Sequence, residues 1–334
     1  MKRVEYIAIF VLLLIGGRHQ ADAQESCPRI PWYWSAEGFI NNQFTYTPSE
    51  TNTFFIRNAR IDLKGFISDK LEFRLQTEFA GQVKVLDAVL KCKFHKGFNV
   101  QVGQYKTPFT LESQYHLLKK ECIDYAQVIN RLSGYNDPLP GNRNNGRDIG
   151  IMIYGGLFEI GERPFPLLSY NIGLFNGSGI NRKDDNMRKD VIARIDVRPG
   201  IRDLVLSASA IAGSYNDGVN ANAANRRISF GGEYKSDDLT VRSEYVRADI
   251  ESAGKTTFSD GFYVVAGYWF DLPGGQRLRP VLRYDTINYT GATSTLCMAG
   301  LDWWPWIHLR LQLNCIRSIT LGQNTIQAMA SVKF

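Results

Sequence analysis

The sequence predicts an all-β chain that closes into a transmembrane antiparallel β-barrel of about sixteen strands. Three observations predict it. Segments that alternate apolar and polar residues recur along nearly the whole chain. Most are close to the roughly ten residues that a tilted strand needs to cross a bilayer. The connections also alternate, short and then long, as the two ends of such a barrel require. A soluble sandwich alternates apolar and polar residues too, but has no reason to keep that rhythm.

The first residues stand apart. Lys2 and Arg3 precede an apolar run over 7–15, and Ala21-Asp22-Ala23 follows. This order reads as a signal peptide over 1–23, cleaved between Ala23 and Gln24, ahead of one barrel domain over 24–334. The run is too short for a spanning helix, and no later stretch reaches the roughly 18 unbroken apolar residues one needs. The chain is 44% hydrophobic with a formal net charge of +6. That excess is mild and does not suggest nucleic acid. Five cysteines, with no C-x-x-C pair, give no zinc site, and no motif calls for a cofactor.

The alternating segments run 34–46, 53–67, 71–79, 85–94 and 98–105. After a long interruption come 148–157, 168–175, 190–198, 204–213, 226–235, 239–250, 262–270, 277–289, 295–304, 307–317 and 325–334. In 71–79, Leu71, Phe73, Leu75 and Phe79 share one face, and Glu72, Arg74, Gln76 and Glu78 the other. In 85–94, Leu86, Ala88 and Leu90 oppose Asp87, Lys91 and Lys93 in the same way. Short turns fall at Ser68-Asp69, Pro199-Gly200 and Ser236-Asp237. Longer polar loops are expected over 176–189, 214–225 and 251–259.

Pairing the penultimate hairpin about Trp306 sets Asp302 opposite Arg310 and Leu301 opposite Leu311. The same register places Cys297 opposite Cys315 and leaves a disulfide there open. Trp303, Trp304 and Trp306 fall where an interfacial aromatic belt would lie. The interruption over 108–147 is too long to be an ordinary connection. It is expected to fold inward as a third, constricting loop. Its residues 116–125 have helical spacing.

Three segments resemble the phosphate-selective porin O and P family. Phe55-Ile56-Arg57-Asn58-Ala59-Arg60-Ile61-Asp62-Leu63-Lys64-Gly65 resembles its Arg-x-x-Arg plus Lys-Gly strand. Leu86-Asp87-Ala88 through Lys93-Phe94 resembles its Leu-Asp-Ala strand. Gly103-Gln104-Tyr105-Lys106-Thr107-Pro108-Phe109, with Glu112, resembles its Gly-Gln-Phe-Lys-x-Pro-Phe segment. The resemblance implies a sixteen-stranded, usually trimeric diffusion channel of the bacterial outer membrane. It also implies a third loop in the bore and a preference for phosphate and related anions.

A pore needs lining charge of one sign and a narrow point. The wall candidates are Arg60, Lys64, Arg74, Lys91, Lys93, Arg194, Arg279, Arg283 and Arg310. Lys106, Lys119, Lys120, Arg131, Arg143 and Arg147 are the candidates at or within the loop. The expected function is passive passage of small solutes with a weak anion preference. Outer-membrane lipid and small anions are the expected partners. A non-transporting structural or adhesive barrel is the alternative. An enzyme is not expected, because His95, His116 and His308, the histidines beyond the leader, have no evident serine nucleophile nearby.

Overall fold

The computed structural model describes residues 33–137, 139, 145–159, 165–201 and 203–334. The leader and Arg143 lie outside the described residues. The first five strands are β1 (Tyr33–Thr47), β2 (Thr51–Ser68), β3 (Leu71–Glu78), β4 (Lys84–His95) and β5 (Phe98–Lys106). After the insertion come β6 (Arg147–Glu159), β7 (Pro166–Phe175), β8 (Asp190–Val197), β9 (Leu204–Tyr215), β10 (Ala223–Lys235) and β11 (Leu239–Ser252). β12 runs Lys255–Tyr268 and resumes as Phe270–Leu272 beyond a break at Trp269. The last are β13 (Gln276–Tyr289), β14 (Ala292–Trp306), β15 (Leu309–Ser318) and β16 (Gln323–Lys333). Each strand pairs antiparallel with its sequence neighbours, and β1 pairs with β16, so the sheet closes.

Burial is inverted relative to a soluble protein. Ile61, Leu75, Leu90, Val102, Phe230 and Leu301 are exposed on the outer face, while Asp62, Gln76, Arg242 and Asp302 are buried inside. Period-two alternation produces this once the ring has closed, and a bilayer accepts the outward apolar band. Tyr33, Trp34, Phe94, Phe158, Phe270, Trp306 and Phe334 are exposed at the end that carries the tight turns. Large aromatic rings at that level fit an interfacial girdle. Gly38 and Phe334 exchange backbone hydrogen bonds of 2.8 and 3.0 Å at the seam. The Phe334 ring lies where a side chain at position 38 would be, 2.4 Å from a Cβ placed there.

Several expectations need correction. The 251–259 loop is absent as such: β11 and β12 continue through it and join at Ala253-Gly254. The β1–β2 and β13–β14 connections at the same end are equally tight, so the short/long rhythm is only partial. In the β14–β15 hairpin, Asp302 faces Gln312 and Leu301 faces Leu313, two residues from the expected register. An irregularity between Trp303 and Trp306 shifts the pairing without exchanging the faces. Cys297 therefore faces Arg317, and both Cys297 and Cys315 are free thiols. Leu86, expected on the outer face, is fully buried. It is the extra residue of a bulge between the Gln76–Asp87 and Thr77–Val85 pairs.

Candidate functional site

The insertion begins where β5 ends, and the local backbone explains its departure. Gly103 has a φ of +125°, and a Cβ there would sit 2.1 Å from the Ala88 carbonyl oxygen. Only glycine fits so close an approach in that conformation. Beside it, Gln104 Nε2 donates to the carbonyls of Val85 and Leu86 at 2.8 and 3.0 Å, which steadies the β4 bulge. Thr107 and Gly146 then tie the two ends of the insertion, through a 2.9 Å bond from the Thr107 amide to the Gly146 carbonyl.

Loop residues meet inward-facing side chains across much of the ring. On β11, Glu244 accepts from the backbone amide of Glu112 at 2.8 Å. Arg242, also on β11 and fully buried, donates to Glu121 at 2.6 Å and to Glu233 at 2.9 Å. Arg227 on β10 forms a buried ion pair with Asp137. Arg279 joins Asp302 at 2.6 Å and donates to the Lys120 carbonyl at 3.3 Å. Arg310 also pairs with Asp302, at 2.7 Å, and reaches the same carbonyl. Arg283 donates to the Asp124 carbonyl at 2.8 Å. Arg194 pairs with Asp196 and touches the Thr110 carbonyl. These arginines sit beneath the loop and hold it to the β8–β15 side. Charged hydrogen bonds in a dry interface are strong when every partner is met.

The expected helix over 116–125 is not formed. The segment holds one 3-10 turn, Leu117–Lys119. The α-helix of the loop, α1, is Gln127–Leu132. Residues three apart on a helix share a face. Here Glu121 reaches Arg242 on β11, whereas Asp124 reaches Arg57 on β2 and Gln327 on β16. One helical face cannot serve both sides of the ring.

Between the loop and the β2–β6 wall lies a cavity of about 330 Å³. Its wall side carries Arg57, Arg60, Arg74, Lys106 and Arg147. Its loop side carries His116, Tyr125, Asn130, Tyr135 and Asn136. The space is sufficient for about ten waters. No aspartate or glutamate is among the described residues that line it. The carboxylates stand behind the cations. Glu78 holds Arg60 at 2.7 Å, Asp62 and Asp87 hold Arg74 at 2.7 and 2.9 Å, and Asp87 also holds Arg147 at 2.6 Å. Their side chains are only 4%, 8% and 1% exposed. This layering fixes the guanidinium groups and presents their charge to the cavity. Among the described residues the Lys106 ammonium meets no carboxylate in an ion pair; it donates to the carbonyls of Ser113 and Tyr115, each at 2.8 Å.

Two loop groups facing or flanking the cavity have displaced titrations. Burial, with Lys106 and Arg60 nearby, lowers His116 to about 4, so it is neutral at ordinary pH. Burial lowers Lys120 to about 7. Its ammonium lies 3.3 Å from the centre of the Tyr125 ring rather than in open space.

Of the expected site residues, the cavity gathers Arg60, Arg74, Lys106 and Arg147. Lys91 and Lys93 share Glu72, each at 2.9 Å, nearer the tight-turn end. Lys64 spans Glu37 and Asp62 at 3.4 and 3.5 Å. Arg131 is exposed and lies over the Tyr289 ring at 5.7 Å. Lys119 is exposed beside a second cavity described below.

Arg57 was missed as a lining residue. Strict alternation sends it outward, but β1 and β2 pair Asn41 with Asn58 and Asn42 with Ile56, which leaves Arg57 as the extra residue of a bulge. The signal available was Arg57-Asn58, two polar residues in succession where the pattern allows one. The loop acids Glu112, Glu121, Asp124 and Asp137 also join the site, and no local pattern marks them, since their partners lie far along the chain.

The described residues thus form a closed antiparallel barrel with an apolar exterior and a cation-lined inner cavity, the architecture of outer-membrane barrels. Residues 35–148 match the family model described as Phosphate-selective porin O and P. That match covers the stretch that carries all three resembling segments. Comparison with curated protein sequences gives no match. Among solved structures, the chain is similar to an anion-selective porin from Comamonas acidovorans, at 12% identity and a TM-score of 0.68, covering 91% of this chain and 100% of that one. It is similar to OmpT of Vibrio cholerae in trimer form, at 15% identity and a TM-score of 0.62, covering 91% and 99%. It is also similar to Salmonella typhi OmpF, at 14% and 0.62, covering 90% and 97%. At these identities the likeness is one of fold.

Proposed function

We propose that the protein is a passive, water-filled diffusion channel of the outer membrane that favours small anions. The observation that carries this reading is the cavity beside the loop, with five cations on its wall, of which Arg60, Arg74 and Arg147 have their carboxylates withdrawn behind them. In this reading the 108–147 segment folds into the bore, is clamped mainly to the β8–β15 side, and the cavity left between it and the β2–β6 wall is the passage. Fixed positive charge at a narrow point lowers the barrier for anions and raises it for cations. The solute class is small inorganic or organic anions, phosphate among them. The family match over the N-terminal third and the anion-selective porin among the structural neighbours support it. The chain reaches the membrane through the 1–23 leader and assembles as a homotrimer, as the trimer form of the OmpT neighbour suggests.

Planar-bilayer recording in a tenfold potassium chloride gradient tests this function. The reading expects open channels whose reversal potential has the sign of chloride permeation. A barrel that never conducts contradicts the transport reading and leaves the structural alternative.

A further inference from the structure

A second cavity, of about 400 Å³, opens at the tight-turn end and shares no lining residue with the first. Its chemistry is different. Three indoles line it, Trp269 and Trp304 within and Trp306 at the rim, together with Lys119, Lys235, Arg277 and Arg279. Trp304 had the aspect of a belt residue in the sequence. In the barrel, Trp303 is exposed on the outside, Trp306 stands at the exposed rim of the cavity, and Trp304 is half-buried and lies 5.7 Å from the inward-facing Arg310. Trp269 shares parity with buried Val265 and interrupts β12. Both rings therefore serve the interior rather than the bilayer.

The two arginines of this cavity are paired from behind, Arg277 with Asp271 at 2.8 Å and Arg279 with Asp302 at 2.6 Å, but its two lysines are not. No carboxylate is among its described lining residues. Lys119 and Lys235 are exposed and form no ion pair among the described residues; Lys235 touches only the Tyr115 hydroxyl, at 3.4 Å, and ring, at 4.5 Å. Arg279 is 3% exposed; its Nε has no acceptor among the described residues, while its other nitrogens meet Asp302 and Glu121. Its guanidinium and that of Arg277 lie over the Trp269 ring at 4.4 and 4.9 Å. Leu118 and Ile307 supply apolar edges. A pocket of this volume, with aromatic faces and a few convergent cations, has the build of a ligand site.

We infer that this cavity is a binding site for organic anions that carry a ring, such as aromatic phosphates or carboxylates. The Trp304 indole and the part of Trp269 not covered by the two arginines would take the ring, and Lys119 and Lys235 the anionic group. Inorganic phosphate has no ring to stack and would gain only the charge contacts. The assignment of the cavity to a channel mouth rests on the proposed function, but binding itself does not require conduction. Trp306 and Ile307, at the exposed rim, raise the second source of the same chemistry: the phosphate and chain of a lipid.

Isothermal titration of the purified protein in neutral detergent tests the site without reference to transport. Phenyl phosphate is expected to bind about tenfold more tightly than inorganic phosphate. Substituting W269L and W304L together should remove that difference and leave inorganic phosphate binding as it was. Lys119→Gln with Lys235→Gln should weaken phenyl phosphate several-fold while a heat-modifiable barrel persists on gels. Equal binding of the two probes would overturn the inference. So would an unchanged preference in the tryptophan variant. Binding of a short-chain phosphatidate without phenyl phosphate would assign the cavity to lipid and overturn it too. If the paired tryptophan substitutions prevent folding, W304F alone decides: the ring preference should survive, since the aromatic face remains, and its loss would contradict stacking.

Discussion

Arg57 on β2 and Asp124 in the long loop form an ion pair of 2.6 Å, with side chains 26% and 36% exposed. Asp124 also accepts from Gln327 on β16 at 2.6 Å. The loop is thus tied to the cationic wall as well as to the opposite one. The tie occupies the charge of one of the five lining cations.

Replacing Asp124 with Asn removes the counter-charge and keeps a side chain of the same size. Arg57 then presents its full charge to the passage. The chloride-to-potassium permeability ratio should rise, by roughly twofold, since one partly exposed pair is worth about 0.2–1 kcal/mol. Reversal potentials of the variant and parent, measured in the same gradient, check this. A fall in the ratio would show that Arg57 is not in the ion path.

Arg57→Gln and Arg131→Gln remove the same charge from two places. Arg57 lines the cavity, whereas Arg131 lies on the exposed side of α1, over Tyr289. The first should lower anion preference and the second should leave it nearly unchanged. Equal effects would mean that overall charge, rather than the β2–β6 passage, sets selectivity.

Arg147→Ala strands Asp87, which is 1% exposed and otherwise holds Arg74. Full loss of a buried partner costs about 3–5 kcal/mol, and since Arg74 still holds Asp87 the cost here falls below that. The folded band on an unheated gel should give way to the unfolded one at a lower temperature. Gly103→Ala should fail earlier, at barrel assembly, because the added methyl meets the Ala88 carbonyl.

Lys120 supplies a pH signature. Burial lowers its titration to about 7, below the roughly 10.4 of an unfolded chain. Between those values the unfolded state holds the extra proton, so folding becomes more favourable as pH rises. Below about 7 both states are protonated and the penalty is constant. The temperature of unfolding should therefore climb between pH 7 and 10 more steeply in the parent than in Lys120→Met. Parallel profiles would contradict the buried, proton-shedding lysine.

Much of this was legible in the sequence because a barrel writes its faces in period two. The sixteen strands, the long insertion after β5 and the cations Arg60 and Arg74 all follow from that period. The misses on the barrel wall around Arg57, Leu86 and Trp306 share one physical origin: places where the period breaks. A bulge turned Arg57 inward, and another buried Leu86. A pairing irregularity beside Trp306 displaced the β14–β15 register by two. Within the loop there is no period to read. Its conformation follows from acids that reach opposite walls, and those long-range partners have no mark in the local sequence.

The central claim is that ions pass between the loop and the cationic wall. Asn136 lies on the loop side of that cavity and is exposed. With the native cysteines changed to serine, Asn136→Cys should react with a bulky thiol reagent, and single-channel current should fall on reaction. An open channel whose current is unaltered after complete modification of Cys at this position would contradict the account.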